Sequence, residues 1–191
     1  MLISHKLKMI FIHVQRTGGT TFSNIIREKI LTKSNDHCQH SNSRTLNSTF
    51  FEKHKDYYTF GFTRNPWDRI LSWYSFIHFN DQKSLPEERK RFEEFLELDA
   101  AADFTKQTFH YNSLDYFTTK KGELIVDKIF HYENMENNIG VLLNQFNLPL
   151  TEIPIMNETS KKDYKDYYTD KSRNLIAQKC KKDIAYFNYI F

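Results

Sequence analysis

The feature that most constrains the fold is a segment near the N-terminus, IFIHVQRTGGTTF, in which an apolar run meets paired glycines. Residues 9–14 form a hexamer that is apolar except for His13 and has β-branched members, which is typical of a strand buried on both faces. Apolar residues then recur at helical spacing, at Phe22, Ile25, Ile26 and Ile30. The segment therefore predicts a strand, a glycine turn and an amphipathic helix.

Strands and helices are predicted to alternate along the rest of the chain. Aromatic and β-branched runs predict strands at 57–63 and 123–132. Asn65 and Pro66 are typical of an N-cap and a first helical position. Further helices are predicted at 86–98, 135–146 and 171–187. Irregular connections are predicted at 32–55, with one helical turn near Leu46, and at 149–170. Strands separated by helices favour a parallel sheet in an α/β fold, and 191 residues fit a single domain, 1–191.

The charge balance argues against two classes of partner. The 27 Lys and Arg residues against 24 Asp and Glu give a net charge of +3, too small for a chain that coats nucleic acid or a membrane. No apolar run reaches the length of about 18 residues that a membrane span needs, so we expect no stable membrane insertion. The N-terminal apolar run is shorter than a signal sequence requires, and Cys38 and Cys180 match no disulfide framework. We therefore expect a cytoplasmic protein with two reduced thiols.

The glycine turn has the composition of an anion site. Gly18 and Gly19 allow the main chain to approach a phosphate closely, and the N-terminus of the following helix points N–H groups at the same place. Hydroxyl and guanidinium donors flank the glycines, at Arg16, Thr17, Thr20 and Thr21. A tight strand-to-helix turn without a ligand is the alternative. The turn is not a Walker A loop, because GxxxxGK[ST] is absent and the cation precedes the glycines.

A second candidate anion site follows the next predicted strand, in TFGFTRNPWDRILSWYSF. Arg64 lies at the end of that strand, and Ser72 lies two helical turns further on, on one side of the helix with Asp68. A guanidinium suits a dianionic phosphate and a hydroxyl can complete its binding. The alternatives are that Arg64 pairs with a carboxylate and that Ser72 is a small packing residue.

The first segment resembles the 5′-phosphosulfate loop of carbohydrate-type sulfotransferases, a family that includes the heparan sulfate 2-O- and 6-O-sulfotransferases. Arg16 stands where that family usually has Lys, so the charge is kept but a planar fork replaces an ammonium group. The second segment resembles the family's 3′-phosphate signature, an Arg followed eight residues later by Ser. The C-terminal part, from FHYENMENNIGVLLNQFNLPL onward, is similar to small bacterial members.

The resemblance implies a P-loop-like three-layer α/β domain with a central parallel sheet and flanking helices. It implies 3′-phosphoadenosine 5′-phosphosulfate (PAPS) as the donor, its product PAP, no metal, and sulfuryl transfer to a hydroxyl, usually of a sugar. The donor would be bound by Arg16, Thr17, Gly18, Gly19, Thr20, Thr21, Arg64 and Ser72, with Arg16 also as the catalytic cation. A P-loop-type nucleotide kinase and a non-catalytic nucleotide- or glycan-binding protein are the alternatives.

A base for the acceptor hydroxyl is sought among the histidines, because histidine titrates near neutral pH. In related enzymes the stretch between the two nucleotide motifs carries this base. The resemblance therefore predicts His40 as the base, with His37 as the alternative. Among the other histidines, His13 is expected in the core and His54 at the surface, whereas His110 and His131 remain possible cleft residues.

Two features near the C-terminus allow either a structural or a functional reading. Lys161 and Lys162 could close over the nucleotide or steer an anionic substrate, or could belong to a solvated face. The tyrosines at 164, 167 and 168 could stack on a sugar or on adenine, or could pack in the core.

Overall fold

The computed structural model describes residues 1–30, 48–98, 111–149 and 163–191, which fall into two compact units. The first unit comprises Met1–Thr63 and Asp115–Asn157, and the second comprises Arg64–Leu114 and Glu158–Phe191. None of the described helices is long and apolar enough to cross a membrane.

The first unit is built on a four-stranded sheet with the strand order β1-β2-β3-β4. The strands are β1 (Leu2–Ser4), β2 (Met9–Ile12), β3 (Tyr58–Thr63) and β4 (Lys128–His131). Strands β2, β3 and β4 run parallel, as predicted, but β1 pairs antiparallel with β2. The sheet is therefore mixed, which corrects the expectation of a purely parallel sheet.

Helices lie on both faces of this sheet. The helices of the first unit are α1 (Gly19–Ile30), α2 (Ser48–Lys53), α5 (Leu114–Phe117) and α6 (Met135–Gln145). Side chains of α1 and α6 share one apolar cluster with Phe11 and Phe60. Residues of α2 and α5 share a second cluster with Ile10 and Ile12. Alternate residues of β2 thus enter two different cores, and the unit has three layers.

Several boundaries in the first unit differ from those predicted. The strand predicted at 123–132 is confined to β4, because Leu124 instead forms an isolated bridge with Thr118. The region 32–55, predicted to be irregular with one helical turn near Leu46, contains α2, whose Phe50 and Phe51 pack on the sheet. Strand β1 has three residues, too few to show a periodicity in sequence.

The second unit consists of helices α3 (Pro66–Ile77), α4 (Leu85–Glu97), α7 (Asp170–Lys179) and α8 (Lys181–Phe187). The predicted start of α3 is confirmed, since the Asn65 side chain accepts a hydrogen bond from the backbone N–H of Trp67. The predicted core face of α4 is also confirmed, because Phe92, Phe95 and Leu96 are buried.

The single helix predicted at 171–187 is divided at Cys180. The Asn112 side chain explains the break, because it replaces part of the helical hydrogen bonding on both sides. Its amide group donates to the carbonyl of Lys179 at 3.0 Å, and its oxygen accepts from the N–H groups of Lys182 and Asp183 at 3.1 and 3.2 Å. A residue so distant in sequence leaves no signal in the helical periodicity.

The C-terminal tyrosines pack in the core of the second unit. Tyr168 is buried and donates from its hydroxyl to the carbonyl of Trp67 at 2.7 Å. The rings of Tyr164 and Tyr168 lie against Phe191, and Tyr167 packs at the edge of the same cluster. Core packing is therefore confirmed for Tyr168, whereas Tyr164 and Tyr167 are half-buried at the margin of the cluster, and their stacking on a sugar or adenine stays a prediction.

Cys180 is a free, buried thiol whose sulfur lies 3.2 Å from the carbonyl oxygen of Tyr111. Burial raises the pKa of this thiol to about 12, so it is not a reactive nucleophile near neutral pH. The prediction of a reduced thiol is confirmed for Cys180, whereas Cys38 lies outside the described residues.

Candidate functional site

Residues 13–18 connect β2 to α1 and form the predicted glycine turn. Arg16 and Gly18 have positive φ angles of 64° and 77°. The Thr17 hydroxyl donates to the carbonyl of Val14 at 2.9 Å, which closes the turn from inside. A bond of 3.3 Å from the N–H of Phe22 to the carbonyl of Gly18 joins the turn to the helix. The first N–H groups of such a helix have no acceptor within the helix, and its dipole favours an anion.

Both glycines are required by close packing inside the first unit. A Cβ at Gly18 would lie 2.7 Å from Met135 Sδ and 2.9 Å from a ring carbon of Tyr132. A Cβ at Gly19 would lie 2.9 Å from Cγ of His13, whose ring also stacks on Phe11. The sequence argument assigned these glycines to the approach of a phosphate; the structure adds a packing reason for both.

Gly18→Ala is expected to lower the free energy of unfolding by about 1–3 kcal/mol. A positive φ angle is strained for alanine, and its methyl group displaces Met135 and Tyr132. Urea unfolding followed by circular dichroism measures the change. Gly140→Ala is the matched control, because Gly140 lies in α6 with open space around it. The Gly140→Ala variant should be more stable than the wild type by about 0.5–1 kcal/mol. Equal stabilities of the Gly18→Ala variant and the wild type would contradict the packing argument.

The other polar residues of the turn differ in their exposure. Arg16 is half-buried and Thr20 is exposed, whereas Thr17 and Thr21 are buried. The Thr17 hydroxyl has one proton, which it donates to the carbonyl of Val14. In this structure the Thr17 hydroxyl therefore stabilises the turn, and the binding of a donor by these residues stays a prediction.

Sequence reasoning missed two contacts beside the turn. The hydroxyl of Tyr116 donates a hydrogen bond to the side-chain oxygen of Gln15, the residue before Arg16. Tyr132 packs on Gly18, as described above. Tyr132 belongs to the C-terminal segment that resembles small bacterial family members, but nothing in the sequence links either tyrosine to the turn, and only the fold brings them to it.

Arg64 and Ser72 lie in the second unit, on the segment that follows β3 directly. Arg64 is only 8% exposed and forms an ion pair with Asp68, one helical turn away. Its Nε and Nη2 both contact Asp68 Oδ2, at 2.8 and 2.7 Å. Ser72 is buried one turn further along α3. The carboxylate pairing weighed as an alternative for Arg64 is therefore present, and it fixes the plane of the guanidinium group.

Several predicted residues lie outside the described residues, namely His37, His40, His110, Lys161 and Lys162. His54, expected at the surface, is half-buried there: its Nδ1 lies 2.8 Å from the carbonyl oxygen of Phe50 and its ring contacts Tyr57. His131 is exposed, with Nδ1 3.9 Å from a carboxylate oxygen of Glu133.

A small cavity in the second unit is lined by none of the predicted donor-binding or catalytic residues, but Tyr167, one of the tyrosines considered for stacking on a sugar or adenine, is among its walls. Its walls include Tyr74, His78, Lys83, Glu88 and Tyr167. Within the described part of the chain, no three His, Cys, Asp or Glu side chains cluster as ligands for a metal ion.

Comparison with known proteins gives the family. The chain matches the Sulfotransferase family over residues 1–190. An uncharacterized protein of Archaeoglobus fulgidus is 30% identical over 97 residues, which cover 49% of this chain and 70% of that protein. No solved structure matches the chain. With a family match along nearly its whole length, the chain belongs to the sulfotransferase family, whose members transfer sulfuryl groups.

Proposed function

We propose that the protein transfers the sulfuryl group of PAPS to a hydroxyl group of a carbohydrate, and that residues 1–191 form one sulfotransferase domain. The match to the Sulfotransferase family over residues 1–190 carries this proposal. The geometry of the glycine turn supports it, because two left-handed residues and a helix N-terminus are combined at the end of a buried parallel strand.

The residues of the turn would bind the 5′ end of the donor. Backbone N–H groups from Gly18 to Thr21 suit a phosphosulfate, since such groups cost no reorganisation when charge develops. Arg16 would neutralise the negative charge that grows on the leaving phosphate. The left-handed backbone of Arg16 determines where its guanidinium group can reach. Thr20 is the exposed hydroxyl of the turn and would add a further donor.

Arg64 and Ser72 would bind the 3′ phosphate. The ion pair with Asp68 partly neutralises the charge that Arg64 presents to a phosphate. It also holds the long side chain of Arg64 in place, so less conformational entropy is lost when the phosphate binds. His40 would accept the proton of the acceptor hydroxyl as its oxygen attacks sulfur and the bond from sulfur to the phosphate oxygen breaks.

Titration calorimetry with PAP tests the donor site directly. Wild-type protein is expected to bind PAP, and Arg64→Ala to weaken that binding about 30- to 1,000-fold, because a charge-assisted contact to a partly desolvated phosphate is lost. Arg89→Ala is the matched control in the same unit, since Arg89 is bonded to the backbone carbonyl of Asp166 at the surface, and it should bind PAP like wild type.

The outcomes separate the proposal from its alternatives. No binding of PAP by the folded wild-type protein would remove the proposed donor, and stabilisation by ATP instead would favour a nucleotide kinase. PAP binding without sulfuryl transfer to any glycan would favour a non-catalytic binding protein. Unchanged PAP affinity in Arg64→Ala, with thermal unfolding showing an intact fold, would place the 3′ phosphate elsewhere.

A further inference from the structure

We propose that Tyr116 is a positioning residue of the glycine turn. Its hydroxyl holds the side chain of Gln15, and through Gln15 it holds the left-handed backbone at Arg16. The effect of Tyr116 on the reaction rests on the proposed function, because it requires that the turn bind the donor. The hydrogen bond itself does not depend on that function.

The backbone at Arg16 needs external support. The left-handed conformation costs a residue with a Cβ about 1–2 kcal/mol, whereas glycine adopts it with almost no strain. Arg16 has a φ angle of 64° and so carries this cost, unlike Gly18. Relaxation of Arg16 to a negative φ angle would redirect both its guanidinium group and the N–H group of the next residue, the two features that make the turn suitable for an anion.

The C-terminal side of Arg16 is held by contacts within the turn itself. The Thr17 hydroxyl donates to the carbonyl of Val14, and Gly18 packs against Met135 and Tyr132. Thr17 is completely buried. These contacts fix the chain after Arg16.

The N-terminal side of Arg16 is held through Gln15. Gln15 follows Val14, which is completely buried, and is itself half-buried. Its side-chain oxygen accepts the hydrogen bond of Tyr116. With Gln15 held in this way, both neighbours of Arg16 are tied to the first unit, and these contacts oppose a change of its φ angle.

Tyr116 is well suited to this role because its ring is buried and packed among apolar side chains. It is 2% exposed, lies on α5 and packs in the cluster that contains Ile12 and Val14. A buried tyrosine hydroxyl needs a hydrogen-bond partner, and here it donates to Gln15. The observed bond goes to Gln15, and we assign Tyr116 no contact with the reacting groups, so its role is positioning.

The test compares Tyr116→Phe with Tyr57→Phe. Both variants remove one tyrosine hydroxyl from the first unit, but the hydroxyl of Tyr57 lies 2.7 Å from Nδ1 of His5, on a residue outside the turn. Hydrogen exchange of the backbone amides of residues 15–19 is expected to be about 3- to 10-fold faster in Tyr116→Phe and unchanged in Tyr57→Phe. PAP affinity is expected to fall about 3- to 10-fold in Tyr116→Phe alone.

A double-mutant cycle with Gln15→Ala tests whether Tyr116 acts on the turn through Gln15. If Tyr116 acts through Gln15, Tyr116→Phe will not accelerate exchange further in a protein that already carries Gln15→Ala. Additive effects of the two changes, or wild-type exchange at residues 15–19 in Tyr116→Phe, would overturn the proposal. The exchange measurement needs no nucleotide. If the wild-type protein fails to bind PAP, the proposed function is refuted, and the exchange rates of residues 15–19 still test the role of Tyr116.

Discussion

Asp183→Ala is expected to lower the free energy of unfolding by about 3–5 kcal/mol, the usual cost of removing one member of a buried charged network. Asp183 is completely buried in the second unit, at the start of α8. It accepts hydrogen bonds from the hydroxyl of Ser113 and from the N–H groups of Ser113 and Leu114, the latter two at 2.7 and 2.9 Å. The alanine variant leaves these three donors without their acceptor.

The charge of Arg69 adds to this cost. Arg69 is also completely buried, it donates to the carbonyl of Tyr111 at 3.0 Å, and it interacts electrostatically with Asp183. Removal of the carboxylate takes away this opposite charge and leaves the guanidinium group in a medium of low dielectric constant. The network connects α3, the segment at 111–114 and α8, so its loss is expected to affect the whole second unit.

Urea unfolding followed by tryptophan fluorescence measures this change. Asp170→Ala is the matched control, because the Asp170 side chain is 91% exposed and pairs with Arg173 at the surface; it should change stability by less than about 0.5 kcal/mol. If Asp183→Ala does not fold, Ser113→Ala removes only the hydroxyl donor and should cost about 1 kcal/mol. A loss below 1 kcal/mol in Asp183→Ala would contradict the importance of the network.

The pH dependence of stability gives an independent check on Asp183. Burial raises the pKa of its carboxyl group above the ordinary value, although Arg69 and the Ser113 hydroxyl act in the opposite direction. At acid pH the carboxyl is protonated in both states; as pH rises above about 4, the unfolded chain loses its proton first. The stability of wild type relative to Asp183→Asn should therefore fall as pH rises from about 4 through the folded-state pKa. A rise would contradict the assigned direction.

His40→Ala is expected to lower the rate of sulfuryl transfer by about 10²- to 10⁴-fold and to leave PAP affinity unchanged. The physical reason is that a base acts on the acceptor hydroxyl and not on the donor. Steady-state rates with PAPS and a glycan acceptor, together with calorimetry using PAP, separate the two effects.

His37→Ala is the matched control for His40, since it removes a histidine three positions away in the same segment. It should keep the wild-type rate within a few-fold. Full activity in His40→Ala combined with a large loss in His37→Ala would transfer the role to His37. Full activity in both variants would show that the base lies in another segment of the chain.

Periodicity and end signals predicted the long elements of the fold. Helix α3 begins where Asn65 and Pro66 predicted it, and the burial of Phe92, Phe95 and Leu96 follows their helical spacing. Local patterns did not predict features made by distant residues. The break between α7 and α8 depends on Asn112. A helical turn was predicted near Leu46, but the bounds of α2 depend on the packing of Phe50 and Phe51 on the sheet.

The candidate site was predictable only in part, for a similar reason. The turn around Gly18 follows from a local pattern of strand, glycines and helix, and the family match agrees with it. The partners that support the turn, Tyr116 and Tyr132, come from the other end of the first unit's chain. The ion pair of Arg64 with Asp68 was foreseeable as a helical i,i+4 pair. The predicted role of His40 stays a prediction.

Strand β2 has a consequence for the fidelity of folding. Met9 and Phe11 enter one apolar cluster, whereas Ile10 enters the other. Slippage of β2 by one residue against its neighbours would turn each side chain toward the opposite apolar cluster. A wrong register therefore costs packing energy on both faces of the sheet. Because both faces oppose slippage, the position at which the chain leaves β2 after Ile12 is fixed. Substitutions within the turn can therefore change its chemistry without changing its position in the fold.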